Sequence, residues 1–220
     1  MPIFNLENMK ILIVSATDFE VADLKNKMVN GEFEHDLEFL ITGVGIPYTI
    51  LKLSLALNKT RYDLVINAGI AGALNLEKHP IGSVRYIEED RFADLGATFP
   101  DGHFEDLFEM GLWKNNQTPF QGELLVSDQY KAFFHTATAL TINTVSGDRR
   151  GIDALFQKYN CELESMEGAA VFFTCHYLNQ SCIQIRSISN KIDIRDKSSW
   201  NIPLALTNLN KKIEEFLLSI

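Results

Sequence analysis

The 220 residues carry a formal charge of −9 and a pI near 5.0, which excludes a general binder of nucleic acid or membrane surfaces, since those need clustered Lys and Arg. At 46% hydrophobic and 22% charged, the chain is an ordinary globular sequence, long enough to bury one sizeable core. Cys161, Cys175 and Cys182 have no CxxC spacing and read as core thiols of a reducing cytoplasm, so no metal or other cofactor is implied. No stretch reaches the ~18 apolar residues of a membrane span, and residues 1–8 show no signal-peptide pattern. The expectation is a soluble, cytoplasmic protein, with residues 1–8 as an extension and residues 9–220 as one domain.

Met9 to Ser15 is a short apolar run, as expected of a strand buried on both faces. Asp18-Phe19-Glu20-Val21 then opens a helix with acids where the helix dipole favours them. Position alone does not separate a solvated first-turn Glu20 from one aimed at the strand end. Leu37 to Thr42 is a second strand, and Gly43-Val44-Gly45 reads as a packing turn before a helix from Tyr48 to Leu57. A phosphate loop there is disfavoured, because the full glycine pattern and a basic partner are missing.

Leu64 to Asn67 predicts a third strand that ends in Ala68-Gly69-Ile70-Ala71-Gly72-Ala73. Such small residues let a flat ligand lie against backbone, or serve a close helix–strand contact. Ile81 to Glu89 is a further strand, left by Arg91 to Gly96. The segment from Ala97 to Thr118 is irregular and aromatic, and too long for an ordinary connection, which suggests a lid or an oligomer contact. His103 and His135 lack partners nearby in sequence and are read as surface or structural residues.

Leu140 to Val145 predicts a strand, and Ser146 to Gly151 a polar turn that opens a helix to Tyr159. Around Glu164-Ser165-Met166-Glu167 a strand end passes through an acidic turn into a helix from Gly168 to about Leu178. Cys182 to Ile188 is a buried strand whose polar tip is Ser189-Asn190. Pro203 sits near the start of a terminal helix, Leu204 to Leu217, where proline is tolerated. This alternation predicts a three-layer α/β sandwich around a mixed, largely parallel twisted sheet. Ligands of open α/β sheets gather outside the carboxyl ends of the strands. Met166, Glu167, Ser189 and Asn190 would meet there.

Taken together, Ser15 to Val21, Asn67 to Gly72, Ser146-Gly147-Asp148, Met166 to Ala170 and Arg186-Ser187-Ile188-Ser189 resemble the nucleoside phosphorylase and nucleosidase superfamily. Within it the chain looks most like the futalosine hydrolases of an alternative menaquinone pathway, through Arg91 to Gly96, Asn190, and Arg195 to Trp200. The sibling methylthioadenosine/adenosylhomocysteine nucleosidases usually carry Asp in place of Asn190 and Ser in place of Ile70. The Arg149-Arg150 pair matches neither group.

The resemblance implies cleavage of a purine N-ribosyl bond through a cationic sugar. By that likeness Glu20 holds and deprotonates a water, while Glu167, with Met166 beside it, accepts the ribose hydroxyls. Asn190 would serve the departing base: a side-chain amide can donate to O6 and accept from a protonated N7, which suits hypoxanthine. Ile70, Ala71, Gly72 and Ser189 would line the site with Arg186. Arg195, Lys197 and Trp200 could receive the substrate's tail. The glycine loops offer no cation for phosphate, which favours water as nucleophile. The alternatives are a methylthioadenosine/adenosylhomocysteine nucleosidase, a 6-oxopurine nucleoside phosphorylase and a non-catalytic nucleoside-binding protein. A homo-oligomer is expected, a dimer in preference, with Phe99 to Trp113 as candidate interface.

Overall fold

The computed structural model describes residues 8–114, 128–145, 149–193 and 197–220. Its strands are β1 (Lys10–Ser15), β2 (Asp36–Ile41), β3 (Leu64–Ala73), β4 (Val84–Phe92), β5 (Gly96–Thr98), β6 (Phe104–Asp106), β7 (His135–Thr141), β8 (Leu163–Ser165) and β9 (Cys182–Lys191). The helices are α1 (Ala22–Val29), α2 (Ile46–Leu57), α3 (Asp128–Lys131), α4 (Arg149–Tyr159), α5 (Gly168–Tyr177) and α6 (Ile202–Leu217), with a 3-10 turn at Asp18–Val21 leading into α1.

The main sheet runs β2-β1-β3-β8-β7-β4-β9, and β9 also pairs with β3, so five of its strands close on themselves. Most pairings are parallel; β3–β8 and β4–β9 are antiparallel. The expected mixed, largely parallel sheet is therefore present.

Alternation along β1 builds the layers. Ile11 and Ile13 pack with Leu24 of α1 and with Leu209, Ile213 and Phe216 of α6. Leu12 and Val14 face the other way, against Leu53 and Leu57 of α2 and Val171, Phe172 and Cys175 of α5. A strand with both faces covered must be apolar throughout, as this run is. Helix α5 is buried almost all round. Helix α6 begins where Asn201 accepts from the Leu204 amide at 3.2 Å, and Pro203 occupies its first turn.

Several boundaries differ from the sequence expectation. Strand β3 does not stop at Asn67 but continues through Ala73, paired in parallel with β9 and shifted in register between Ala71 and Gly72. Small residues are no bar to a strand whose neighbours supply the ladder. Their smallness serves side chains crossing the strand. A Cβ at Gly69 would stand 2.0 Å from Arg186 Nη1, and one at Gly72 would stand 2.8 Å from Ile192 Cγ1 and 3.1 Å from Asn190 Nδ2.

Strand β4 keeps Arg91 and Phe92, which were expected to leave it, because β7 pairs with it to Phe92. Strand β7 starts at His135 rather than Leu140 and ends at Thr141. Strand β9 extends to Lys191, so Ser189 and Asn190 lie within it rather than at its tip. The aromatic segment contains the β5–β6 hairpin, and its Trp113 turns inward onto Phe92 and Phe173. Ser146-Gly147-Asp148 and Arg195 lie outside the described residues, as do the side chains of Arg149, Arg150 and Lys197.

His103 is exposed and stacked on Phe99, and, against expectation, it has a partner nearby in sequence, Asp101, to which it is hydrogen-bonded; His135 is exposed at the start of β7. The three cysteines are buried and free. Among the described residues no helix is long and apolar enough to cross a membrane, and no His/Cys/Asp/Glu group of three could hold a metal.

Candidate active site

A cavity of about 480 Å³ opens where the carboxyl ends of β1, β3 and β9 meet the turn after β8. Glu20, Ile70, Ala71, Gly72, Met166, Glu167, Ser189, Asn190 and Trp200 all line it. Phe19, Val44, Val145, Ile202 and Leu206 add apolar wall that the reading missed. The signal for the last two was available: they stand four apart on α6, off the stripe of Ala205, Leu209 and Ile213 that faces the core.

Glu20 is not a solvated acid; it is 7% exposed. Its Oε2 accepts from Ser15 Oγ (2.9 Å), the Thr17 amide (2.9 Å) and Thr17 Oγ1 (3.0 Å), and its Oε1 from the Ile70 amide (3.2 Å). The bond to the Thr17 amide is half of a capping box, which turns the side chain back toward the end of β1. Neutral donors fix the carboxylate in place without taking its charge.

Glu167 is the N-cap residue of α5, yet its side chain does not cap that helix. Oε1 instead accepts from the Gly45 amide at 2.9 Å, at the start of α2. The glycine turn read as packing therefore has a second task. Gly45 adopts φ 96°, a conformation that favours glycine, and so presents its N–H to the carboxylate. Burial pushes the Glu167 pKa up; the nearby Arg186 charge and the Gly45 amide pull it down, and Glu20 raises it again.

Arg186, expected to line the site, is not part of the cavity wall: it is 2% exposed, and its Nε and Nη2 find no hydrogen-bond partner among the described residues. Its guanidinium and the Glu20 carboxylate converge on Gly69, whose missing Cβ leaves both the room. A buried cation with open donors is costly unless something fills them.

Asn190 lines the cavity with its side-chain amide anchored on both sides. Its Oδ1 accepts from Ser189 Oγ (2.7 Å) and its Nδ2 donates to the Lys191 carbonyl (2.9 Å). One amide proton and one lone pair are left for a ligand.

The sequence profile of the phosphorylase superfamily matches residues 10–219. The chain belongs to that superfamily. It is 32% identical over 177 residues to a futalosine hydrolase of Acidothermus cellulolyticus, spanning 78% of this chain and 71% of the relative. It is 28% identical over 209 residues to a 5′-methylthioadenosine/S-adenosylhomocysteine nucleosidase of Maridesulfovibrio salexigens, spanning 84% and 87%. The crystal structure of such a nucleosidase from Colwellia psychrerythraea, in complex with adenine, superposes with a TM-score of 0.78 at 19% identity, covering 96% of each chain. This superfamily member is thus an enzyme of the nucleosidase kind, related to both groups, with the same mixed α/β fold.

Proposed function

We propose that the chain hydrolyses the N-glycosidic bond of a purine nucleoside whose 5′ position bears a substituent. The observation that carries this reading is the convergence of two buried carboxylates, Glu20 and Glu167, on one largely apolar cavity above a buried Arg186. Such a bond breaks through a sugar with oxocarbenium character. Negative charge fixed in a dry pocket stabilises that cation without reorganising at the moment of reaction.

In this reading Glu20 accepts a proton from a water at the anomeric carbon, and the positive charge of the buried Arg186 lies behind it. Glu167 uses its remaining oxygen for the ribose hydroxyls. Ile70, Ala71 and Gly72 offer a flat backbone surface to the base, and Met166 and Ser189 close its sides. Asn190 donates to or accepts from the departing purine. Phosphate is a poorer nucleophile here, because a dianion would meet Glu20 and Glu167 as well as Arg186.

Two substrates follow from two observations. The amide of Asn190 suits a 6-oxopurine, hence futalosine, and the relative at 32% identity carries that name. The described cavity wall contains no Lys or Arg, and Trp200, Phe19, Ile202 and Leu206 suit an apolar 5′ group, hence methylthioadenosine. The comparisons give this second reading the broader backing, since the likeness to the nucleosidases spans more of both chains. We place futalosine first on Asn190. Arg195 and Lys197 are the residues proposed to meet its carboxylate.

A dimer is part of the proposal. Val44, Tyr48, Leu51 and Leu55 form an exposed apolar stripe along the start and outer face of α2, beside the cavity rim. Scattered apolar residues need no explanation, but a helical stripe next to a site is a contact surface in waiting.

The test is a product assay. Futalosine, methylthioadenosine and inosine are offered with and without phosphate, and the released base is identified by chromatography. Hypoxanthine from futalosine without phosphate supports the first reading, and adenine from methylthioadenosine the second. Release that requires phosphate, or no release at all, overturns the hydrolase.

A further inference from the structure

Asp90 is completely buried on β4 and takes no part in the chemistry above. Its Oδ1 accepts from Thr141 Oγ1 at 2.7 Å, and its Oδ2 accepts from Gln184 Nε2 at 2.8 Å. Gln184 Oε1 in turn accepts from Asn67 Nδ2 at 3.3 Å. Thr141 Oγ1 accepts from the Ala169 amide at 2.8 Å, in the first turn of α5. The cluster is wholly enclosed, and fully satisfied buried networks of this kind fix one arrangement of the elements they join.

The first amides of a helix have no partner within it and are usually satisfied by the N-cap side chain. At α5 the N-cap residue is Glu167, whose carboxylate is directed to the Gly45 amide at the start of α2. The capping is divided between two other residues: Ser165 Oγ, at the end of β8, accepts from the Gly168 amide at 3.4 Å, and Thr141 Oγ1, on β7, takes the shorter bond from Ala169. A threonine hydroxyl has one proton and two lone pairs, and a proton committed elsewhere keeps a lone pair turned toward Ala169. Asp90 commits it. There is no slack in this arrangement, because a Cβ at Gly168 would stand 2.0 Å from Asp90 Oδ2.

We propose that Thr141, oriented by Asp90, is a positioning residue for Glu167: by capping α5 in its place it frees the Glu167 carboxylate to face the ribose site. This inference rests on the assignment of Glu167 to the ribose. It extends that assignment to residues that never touch substrate.

Thr141→Val keeps the shape and removes the acceptor; Thr141→Ser keeps the acceptor. With the nucleoside that the protein cleaves, Thr141→Val is expected to lose on the order of 10²-fold in kcat/KM, as for a misplaced reacting group. Thr141→Ser is expected to stay within about threefold of the parent, and Thr141→Val to cost little further in a Glu167→Gln background. A loss that multiplies fully onto that of Glu167→Gln, or no loss at all, overturns the proposal. A merely structural role would lower the melting temperature and leave the folded enzyme's kinetics alone.

A carboxyl-carbon NMR titration of Glu167 needs no turnover and separates this inference from the proposed reaction. If Thr141 positions Glu167 against the Gly45 amide, its midpoint rises in Thr141→Val and is unchanged in Thr141→Ser. An unmoved midpoint overturns the positioning role even in an active enzyme. A moved midpoint supports it even if no nucleoside is cleaved. Should Thr141→Val not fold, Thr141→Cys supplies a comparable volume with only a weak acceptor, and the same rise is expected.

Discussion

The backbone amide of Gly45 donates to Glu167 Oε1 at 2.9 Å, joining residues 122 positions apart at the edge of the cavity that Val44 and Glu167 line. The bond ties the start of α2 to the start of α5, two helices on the same face of the sheet. It also leaves the other carboxylate oxygen for a ligand. Glu20 is held in the same manner, by neutral donors from β1, the following turn and β3. Both acids are fixed by backbone and hydroxyl groups rather than by ion pairs, so their charge stays available to a developing cation.

Gly45→Ala tests the first of these ties. The added methyl meets nothing closer than Pro47 Cδ at 4.0 Å, so its cost comes from φ 96° rather than from a clash. With ψ 163° the residue lies in a region essentially reserved for glycine, and any other residue there costs about 1–3 kcal/mol. Relaxation of that strain moves the N–H away from Glu167. The amide lowers the Glu167 pKa, so its loss raises it. The expected outcome is a lower melting temperature, with the acid limb of the kcat/KM profile displaced to higher pH. An acid limb that stays put means that Glu167 does not report there.

Glu20→Gln keeps the volume and removes the charge. If Glu20 deprotonates the water, kcat falls on the order of 10²–10⁴-fold. Substrate affinity measured by calorimetry changes little, because the ribose and base contacts lie elsewhere. Turnover that survives the substitution removes Glu20 from the chemistry.

The layers were legible in the sequence because apolar periodicity reports burial directly. The run of β1, the glycine-marked turns and the α5 motif each declared their element. Boundaries were not legible where pairing overrides local signals, as in β3, whose glycines look like a turn but lie in the ladder with β9. The residues read from the strand ends, Met166, Glu167, Ser189 and Asn190, meet at one cavity. What sequence could not show is partnership across the fold. Position in the sequence left Glu20 open between a solvated first-turn acid and a site carboxylate, which the amide of Ile70 now holds, and Asp90, Thr141 and Gln184 drew no notice, being single polar residues in apolar strands.

Asn190→Asp tests the choice of base. In the parent, Nδ2 faces the Lys191 carbonyl at 2.9 Å, a place where a carboxylate oxygen would be repelled. The variant must turn or protonate that group, at about 1–3 kcal/mol for the unmatched carbonyl. Once turned, it accepts from a 6-amino group and rejects a 6-oxo group. The ratio of kcat/KM for adenine over hypoxanthine nucleosides should rise, by as much as 10⁴-fold where the site is built around that bond. An unchanged ratio removes Asn190 from base selection.

Asp90 gives the last prediction, one of stability against pH. Burial pushes its pKa up to about 6, although Gln184, Thr141 and the Arg186 charge all pull it down. An unfolded Asp titrates near 3.9, so below about pH 4 both states are protonated and the group contributes nothing. Between about pH 4 and 6 the unfolded chain releases its proton while the native state keeps it. The unfolded state then binds fewer protons, and stability falls as pH rises. Above about pH 6 both states are charged and the deficit is constant, at most ~3 kcal/mol for a shift of about two pKa units. Asp90→Asn removes this dependence and adds a fixed cost for its altered hydrogen bonds, which has no slope. Urea unfolding of both proteins at pH 4, 5, 6 and 7 should show the difference moving in the variant's favour up to about pH 6 and then levelling. A difference that is flat across the range means that Asp90 loses its proton no later in the folded chain than in the unfolded one.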